Sequence, residues 1–203
     1  MSTTARRKAA TYQDLLEVPE RLVAEILDGD LFASPRPGFR HAYASSILGA
    51  DVTNRFHGPS GGGDRPGGSW ILDEPELHFQ DDVVVPDIAG WRCERVPVPP
   101  DAPWFDLAPD WACEIISPST ESIDRGRKLR IYAREQVGHL WLVNPIAKTL
   151  EVYRLSDSAW TLLHTFVDND VVQAEPFNTV SIDISRWWLP EAPQESRFSP
   201  LCS

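Results

Sequence analysis

Apolar positions along the chain change period several times, and each change predicts an element. Thr11 to Val18 forms a short helical stretch with Thr11 as N-cap and Asp14 three residues on, the spacing of a capping box, and Pro19 ends it. Two apolar runs follow, Leu22 to Leu27 and Leu31 to Ala33. The Asp28-Gly29 pair between them predicts a tight hairpin, because such turns require positive φ at their central residues. Glu25 therefore falls on a strand. From Phe39 to His57, the residues Phe39, Tyr43, Ile47 and Ala50 recur at spacings of three and four, which predicts an amphipathic helix packed along that stripe.

Between Gly58 and Gly68 six of eleven residues are glycine. A phosphate-binding loop would need Gly-Lys-Ser/Thr, which is absent, and the only base is Arg65, so a flexible surface loop is expected. Ser69 to Phe79 and Asp82 to Trp91 read as two strands joined near Gln80-Asp81, followed by a Pro-rich, extended and exposed connection from Val96 to Pro109. Trp111 to Ile116 is almost continuously apolar, the pattern of a strand buried on both faces. Ser117 to Thr120 breaks it and supplies capping hydroxyls for a helix from Ser122 or Asp124 to Gln136, with Gly138 as its stop. His139 to Val143 is the next buried strand, and runs at Leu150 to Leu155, Trp160 to Val167 and Val180 to Ile184 complete an antiparallel meander. This order predicts a mixed α/β (α+β) fold with helices layered on a mixed central sheet and additional antiparallel strands.

Composition narrows the class. The chain has 203 residues, 42% hydrophobic and 24% charged, as expected of one globular domain over 11–190 with a flexible N-terminus at 1–10 and a tail at 191–203. Thirty acids against nineteen bases give a net charge of -11, which excludes a protein that coats nucleic acid or an anionic membrane by bulk charge. Cys93, Cys113 and Cys202 have neither disulfide-framework nor zinc spacing, and reduced thiols in a cytoplasm are the simplest reading. The basic start lacks an apolar segment behind it and no run approaches a membrane span, so neither secretion nor membrane association is expected. Five histidines, at 41, 57, 78, 139 and 164, show no metal-ligand spacing, and no Gly-x-Ser-x-Gly elbow is present. Trp187-Trp188 reads as an aromatic cap over the sheet or a subunit contact before it reads as a base-stacking pair.

Two acids stand in apolar surroundings. Alternation places Val83, Val85 and Asp87 on one face of a strand, and Ala112, Glu114 and Ile116 on one face of another. Carboxylates are almost never buried without a partner. If the strands are neighbours, a divalent cation would relieve their repulsion, and oxygen ligands of this kind suit magnesium or manganese. The alternative leaves Asp87 in solvent and pairs Glu114 with an arginine. The following helix carries Arg125, Arg127, Lys128, Arg130 and Arg134 against Asp124, a local balance of +4 within eleven residues. Asp124, Lys128 and Tyr132 are successive i, i+4 neighbours, so one face presents acid, amine and phenol, either as a solvated face or as part of a site.

Several separated blocks resemble the Uma-two family of bacterial restriction endonucleases over about residues 11 to 190. They are Val23 to Leu31, Val83 to Ala89 (Val-Val-Val-Pro-Asp-Ile-Ala), Ala108 to Thr120, Asp124 with Lys128 and Tyr132, and the run from Trp141 to Leu155. The resemblance implies a restriction-endonuclease-like core of the PD-(D/E)XK superfamily, with Asp87 and Glu114 as the two motif acids and Glu25 as an additional acid. The superfamily's lysine two residues after the second acid is replaced here by Ile116, and the resemblance points to Lys128 instead. It further implies a magnesium- or manganese-dependent endonuclease that hydrolyses DNA, with catalytic Glu25, Asp87, Glu114 and Lys128, metal on Asp87 and Glu114, and support from Asp124 and Tyr132. Arg125, Arg130 and Arg134 are the candidate DNA contacts, and a homo-oligomer, dimer or higher, is the expected assembly.

Against turnover stand ten acids and two bases between residues 73 and 110, a poor surface for a phosphate backbone. The competing reading is a binding or assembly module that keeps the nuclease fold without activity. Convergence of Glu25, Asp87, Glu114 and Lys128 separates the two.

Overall fold

The computed structural model describes residues 9–61 and 65–190. Most of the expected flexible start, the expected tail and Cys202 lie outside the described residues. Helix α1 (Tyr12–Leu16) begins with the capping box read from sequence: the Thr11 N–H donates to the Asp14 carboxylate at 2.7 Å, and the Asp14 N–H donates to Thr11 Oγ1 at 3.3 Å. Strands β1 (Leu22–Leu27) and β2 (Asp30–Pro35) form the expected hairpin, with φ of 54° at Asp28 and 77° at Gly29. Glu25 lies on β1 opposite Phe32.

Helix α2 (Phe39–Phe56) forms where expected but packs through a different stripe. Its buried side chains include His41, Ala44, Leu48, Val52 and Phe56, whereas Phe39 is 75% exposed and Ala50 is exposed. The two stripes are one residue apart, about 100° around the helix at 3.6 residues per turn. Tyr43 and Ile47 sit at the margin between them.

Both long strands read between residues 69 and 91 break at prolines. The first divides into β3 (Ser69–Asp73) and β4 (Leu77–Phe79) around Pro75, and the second into β5 (Asp82–Val84) and β6 (Ile88–Arg92) around Pro86. Proline has no N–H to continue a ladder. At these breaks the chain changes sheets, so β4 and β5 leave as a hairpin to join a four-stranded sheet of order β2-β1-β5-β4. The Glu74 N–H donates to the Asp87 carbonyl at 3.0 Å and ties the two crossing points together. The Pro-rich connection is exposed over 97–104 and at 106 and 107, as expected, but Phe105 is buried against Trp91, and its N–H donates to the Glu76 carbonyl.

Strand β7 (Trp111–Ile115) is buried throughout and occupies the middle of a six-stranded mixed sheet together with β8 (His139–Asn144), β9 (Thr149–Ser156) and β10 (Ala159–Val167). The order is β10-β9-β8-β7-β6-β3, and β7 and β8 run parallel. A parallel pair needs a crossover. A continuous helical segment supplies it, made of α3 (Glu121–Ile123), a π-helical turn (Asp124–Lys128) and α4 (Leu129–Arg134). The left-handed residue after this segment is Gln136, at φ 61°, rather than Gly138. Gly138 instead sits where an added Cβ would lie 3.3 Å from the Asp110 carbonyl oxygen. The last expected strand shortens to β12 (Ile182–Asp183), paired with β11 (Val171–Val172).

The sheet separates two apolar layers. Trp111, Cys113 and Ile115 pack toward α2, together with Trp141 and the buried Trp187 and Trp188, which cap the sheet as read from sequence. Ala112 and Ile116 face the other layer, with Ile131 and Tyr132 of α4. Alternation along β7 puts Glu114 on this second side and Cys113 on the first, where burial raises the thiol pKa well above its ordinary value.

Candidate active site

Glu114 enters an apolar layer at 1% exposure, and two side chains of the crossover meet its carboxylate. Tyr132 Oη donates to Oε1 at 2.5 Å, and Lys128 Nζ donates to Oε2 at 3.1 Å. The π-helical turn holds both Asp124 and Lys128, and such i→i+5 turns are rare and frequent at functional sites. Acid, amine and phenol therefore form an interior row, not a solvated face. Lys128 Nζ also donates to the Val85 carbonyl at 2.9 Å and lies 3.0 Å from Glu25 Oε1 and 3.8 Å from Asp124 Oδ1. Glu25 Oε1 accepts in addition from the Val85 N–H at 2.8 Å, so β1 and the end of β5 hold the amine between them.

Asp87 is not the strand residue that alternation suggested. It sits at a bend after Pro86, immediately before β6, whose Ile88 pairs with Cys113 of β7. Its Oδ2 accepts from the Ile115 N–H at 2.6 Å, and its Oδ1 lies 3.2 Å from His41 Nε2. The neighbouring strands thus bring Asp87 and Glu114 to the same end of the sheet. Glu25 and Lys128 join them from β1 and the crossover.

Charge in this cluster is unbalanced. Glu25, Asp87, Glu114 and Asp124 surround Lys128, with His41 as the other basic neighbour. Burial pushes the Glu114 carboxyl well above its ordinary range; Lys128 opposes the shift, and the other three acids reinforce it. Asp124 is raised to about 6, mainly by burial, with Lys128 and a hydrogen bond to Thr120 opposing. Burial alone would lower the Lys128 pKa, but the four acids outweigh it and keep the amine charged. Burial would likewise lower His41, and Asp87, Asp124 and Glu74 raise it overall. Burial and the neighbouring acids thus both favour the protonated forms of Glu114 and Asp124, and Lys128 opposes them.

Among the described residues no group of three or more His, Cys, Asp or Glu forms a ready cation cage. Asp87 and Glu114 would offer carboxylate oxygens to such a cation, and two carboxylates completed by water and phosphate oxygens is the usual manner of holding magnesium. The all-oxygen donors and the surplus negative charge fit a hard divalent cation.

The cluster lines a cavity of about 370 Å³. Its lining adds residues that the sequence reading left out, among them Arg36, Phe39, Arg40 and His41 from the loop before α2 and its first turn, and Ile146 from the β8–β9 turn. No local spacing marks them, because they reach the acids only through the packing of α2 on the sheet. Arg125, Arg130 and Arg134 are absent from this lining and pair with acids of the same chain. Arg125 grips Glu151 through two bonds of 2.8 Å, Arg130 lies 3.5 Å from Asp28, and Arg134 bonds to Asp82.

A sequence model of the Uma2 family, described as "putative restriction endonuclease", matches residues 9–185. The chain belongs to the Uma2 family. That match spans every segment contributing to the cluster. Among solved structures, this Uma2 chain is similar to a "putative nuclease belonging to DUF820" from Anabaena variabilis ATCC 29413, with a TM-score of 0.68 and 22% identity over 88% of this chain and 97% of that one. The likeness shows a shared fold, a mixed α/β architecture around a mixed sheet. No curated protein matches the chain. No helix among the described residues is long and apolar enough to cross a membrane.

Proposed function

We propose that this Uma2 protein is a magnesium- or manganese-dependent endonuclease of the PD-(D/E)XK kind that hydrolyses phosphodiester bonds in DNA. The observation that carries the reading is the convergence of Glu25, Asp87, Glu114 and Lys128, from four separate segments, on one cavity. Asp87 and Glu114 hold the cation. Once bound, it polarises a phosphate and lowers the pKa of a coordinated water. Lys128, kept charged by its acids, stands beside Glu114 where charge develops on the phosphate, and preorganised charge of this kind stabilises phosphoryl transition states. Glu25 and the Val85 carbonyl orient the amine. Tyr132 fixes the Glu114 carboxylate, and Asp124 adds negative charge behind Lys128. Arg36 and Arg40, which line the cavity, contact the DNA backbone, whereas Arg125, Arg130 and Arg134 lie outside its lining.

One observation favours the second reading, a binding module without turnover. Both oxygens of Glu114 are already engaged by Tyr132 and Lys128. The deciding experiment incubates the purified full chain with supercoiled plasmid and with single-stranded circular DNA, in magnesium, in manganese and in chelator. Nuclease function requires metal-dependent nicking that Asp87→Asn and Glu114→Gln abolish. Intact DNA in both metals would leave the binding module.

A further inference from the structure

The sequence reading gave His41 no role, and folding alone does not account for its environment. The residue lies in the first turn of α2 with its side chain 10% exposed. It lines both the 370 Å³ cavity and a second cavity of about 350 Å³ formed by α2 with Asp73 and Glu74. Nε2 faces Asp87 Oδ1 at 3.2 Å, while Nδ1 is buried and has no hydrogen-bond partner among the described residues. A buried polar atom left unpaired costs roughly 1 to 3 kcal/mol. A histidine kept for packing would be expected to satisfy both nitrogens, and this one satisfies the nitrogen that meets a site acid.

Asp87 needs such a partner. It stands on a bend after Pro86, outside any ladder, so pairing along a strand does not orient it. Two contacts from opposite sides do. The Ile115 N–H of β7 holds Oδ2 at 2.6 Å, and the His41 Nε2–H of α2 holds Oδ1. Each carboxylate oxygen has two lone pairs, so a single donor on each leaves a further position for another ligand. Outer partners that fix a ligating group in this way typically change metal affinity by about 10- to 100-fold.

We infer that His41 is a positioning residue: its Nε2–H locks the Asp87 carboxylate in the orientation that accepts a divalent cation, and the ring itself is not a ligand. The inference rests on the reading of Asp87 and Glu114 as the cation's ligands. Three substitutions separate the hydrogen bond from the bulk of the ring. His41→Leu fills the space without a donor, and His41→Asn carries an amide too short to reach Asp87. His41→Gln places an amide N–H close to the position of Nε2.

The experiment titrates manganese alone into each full-length protein by calorimetry, with thermal melting in chelator to confirm folding. Expected is manganese binding to wild type that weakens by about 10- to 100-fold in the Leu and Asn variants and largely returns in the Gln variant. Should the Leu variant not fold, the Asn and Gln pair carries the same comparison. Wild-type affinity in the Leu or Asn variant would overturn the role of His41 while leaving the acids as ligands. Equal weakening in all three would overturn the hydrogen-bond role and mark the ring as a ligand. No binding to wild type would overturn both this inference and the cation site beneath it.

Discussion

Replacing Lys128 by methionine keeps the length of the buried stem and removes its charge. Lys128 is 4% exposed, and its ammonium group lies 3.0 Å from Glu25, 3.1 Å from Glu114 and 3.8 Å from Asp124 while donating to the Val85 carbonyl. Removing one partner of a buried ion pair leaves uncompensated charge and costs about 3 to 5 kcal/mol. For a chain of this size that corresponds to a fall in Tm of roughly 6 to 20 °C. The acids left behind can take up protons, so the loss should shrink as pH falls. Magnesium should restore a larger share of stability to Lys128→Met than to wild type, since divalent charge replaces the missing amine. Thermal melting of both proteins at neutral pH, in chelator and in excess magnesium, reads this directly. A melting point within about 2 °C of wild type in chelator, a change of less than about 1 kcal/mol, would refute the reasoning. It would mean that the acids do not depend on the amine.

The other predictions concern single groups. Tyr132→Phe removes the donor to Glu114 Oε1 and should cost about 1 to 3 kcal/mol in denaturant melts, the range for leaving a buried acceptor unsatisfied. Asp124 is raised from 3.8 to about 6 in the fold, so the folded state binds the extra proton, and its contribution to stability falls as pH rises from about 4 through about 6. That contribution amounts to about 3 kcal/mol, from roughly two pKa units at 1.36 kcal/mol each. Metal-free protein should therefore be more stable near about pH 5 than at about pH 7, and Asp124→Asn should flatten that profile. Gly90→Ala would bring a Cβ to 3.0 Å from Ile71 Cδ1 and 3.3 Å from Trp111, and should destabilise by about 1 to 3 kcal/mol through overpacking, measured by urea unfolding. Arg36→Ala and Arg40→Ala should each reduce the salt dependence of DNA affinity by about 0.9 in log-log slope, whereas Arg130→Ala should leave it nearly unchanged.

Local signals carried through to the structure and long-range ones did not. The β1–β2 hairpin was legible because Asp28-Gly29 supplies positive φ regardless of context, and the capping box at Thr11 is equally local. The burial of β7 was legible from its unbroken apolar run. Asp87 does reach the cavity, but alternation carried through Pro86 and treated one strand where the chain changes sheets. The two prolines, at 75 and 86, were the available sign of those breaks. The buried stripe of α2 was misread by one position, because Phe39 and Tyr43 are apolar enough to mimic a core face while the sheet takes up Ala44, Leu48 and Val52. Periodicity marked Asp124, Lys128 and Tyr132 as one face, but only packing against Glu114 turned that face inward. Nothing local could have joined His41 to Asp87, since their contact depends on how α2 sits on the sheet.

The most direct test of the central claim is anomalous scattering from a manganese-soaked crystal. The account expects one peak between the Asp87 and Glu114 carboxylates, with an oxygen of each at roughly 2.0 to 2.6 Å and Lys128 still beside Glu25. A peak elsewhere, or no peak while Lys128 and Tyr132 keep both oxygens of Glu114, would contradict it.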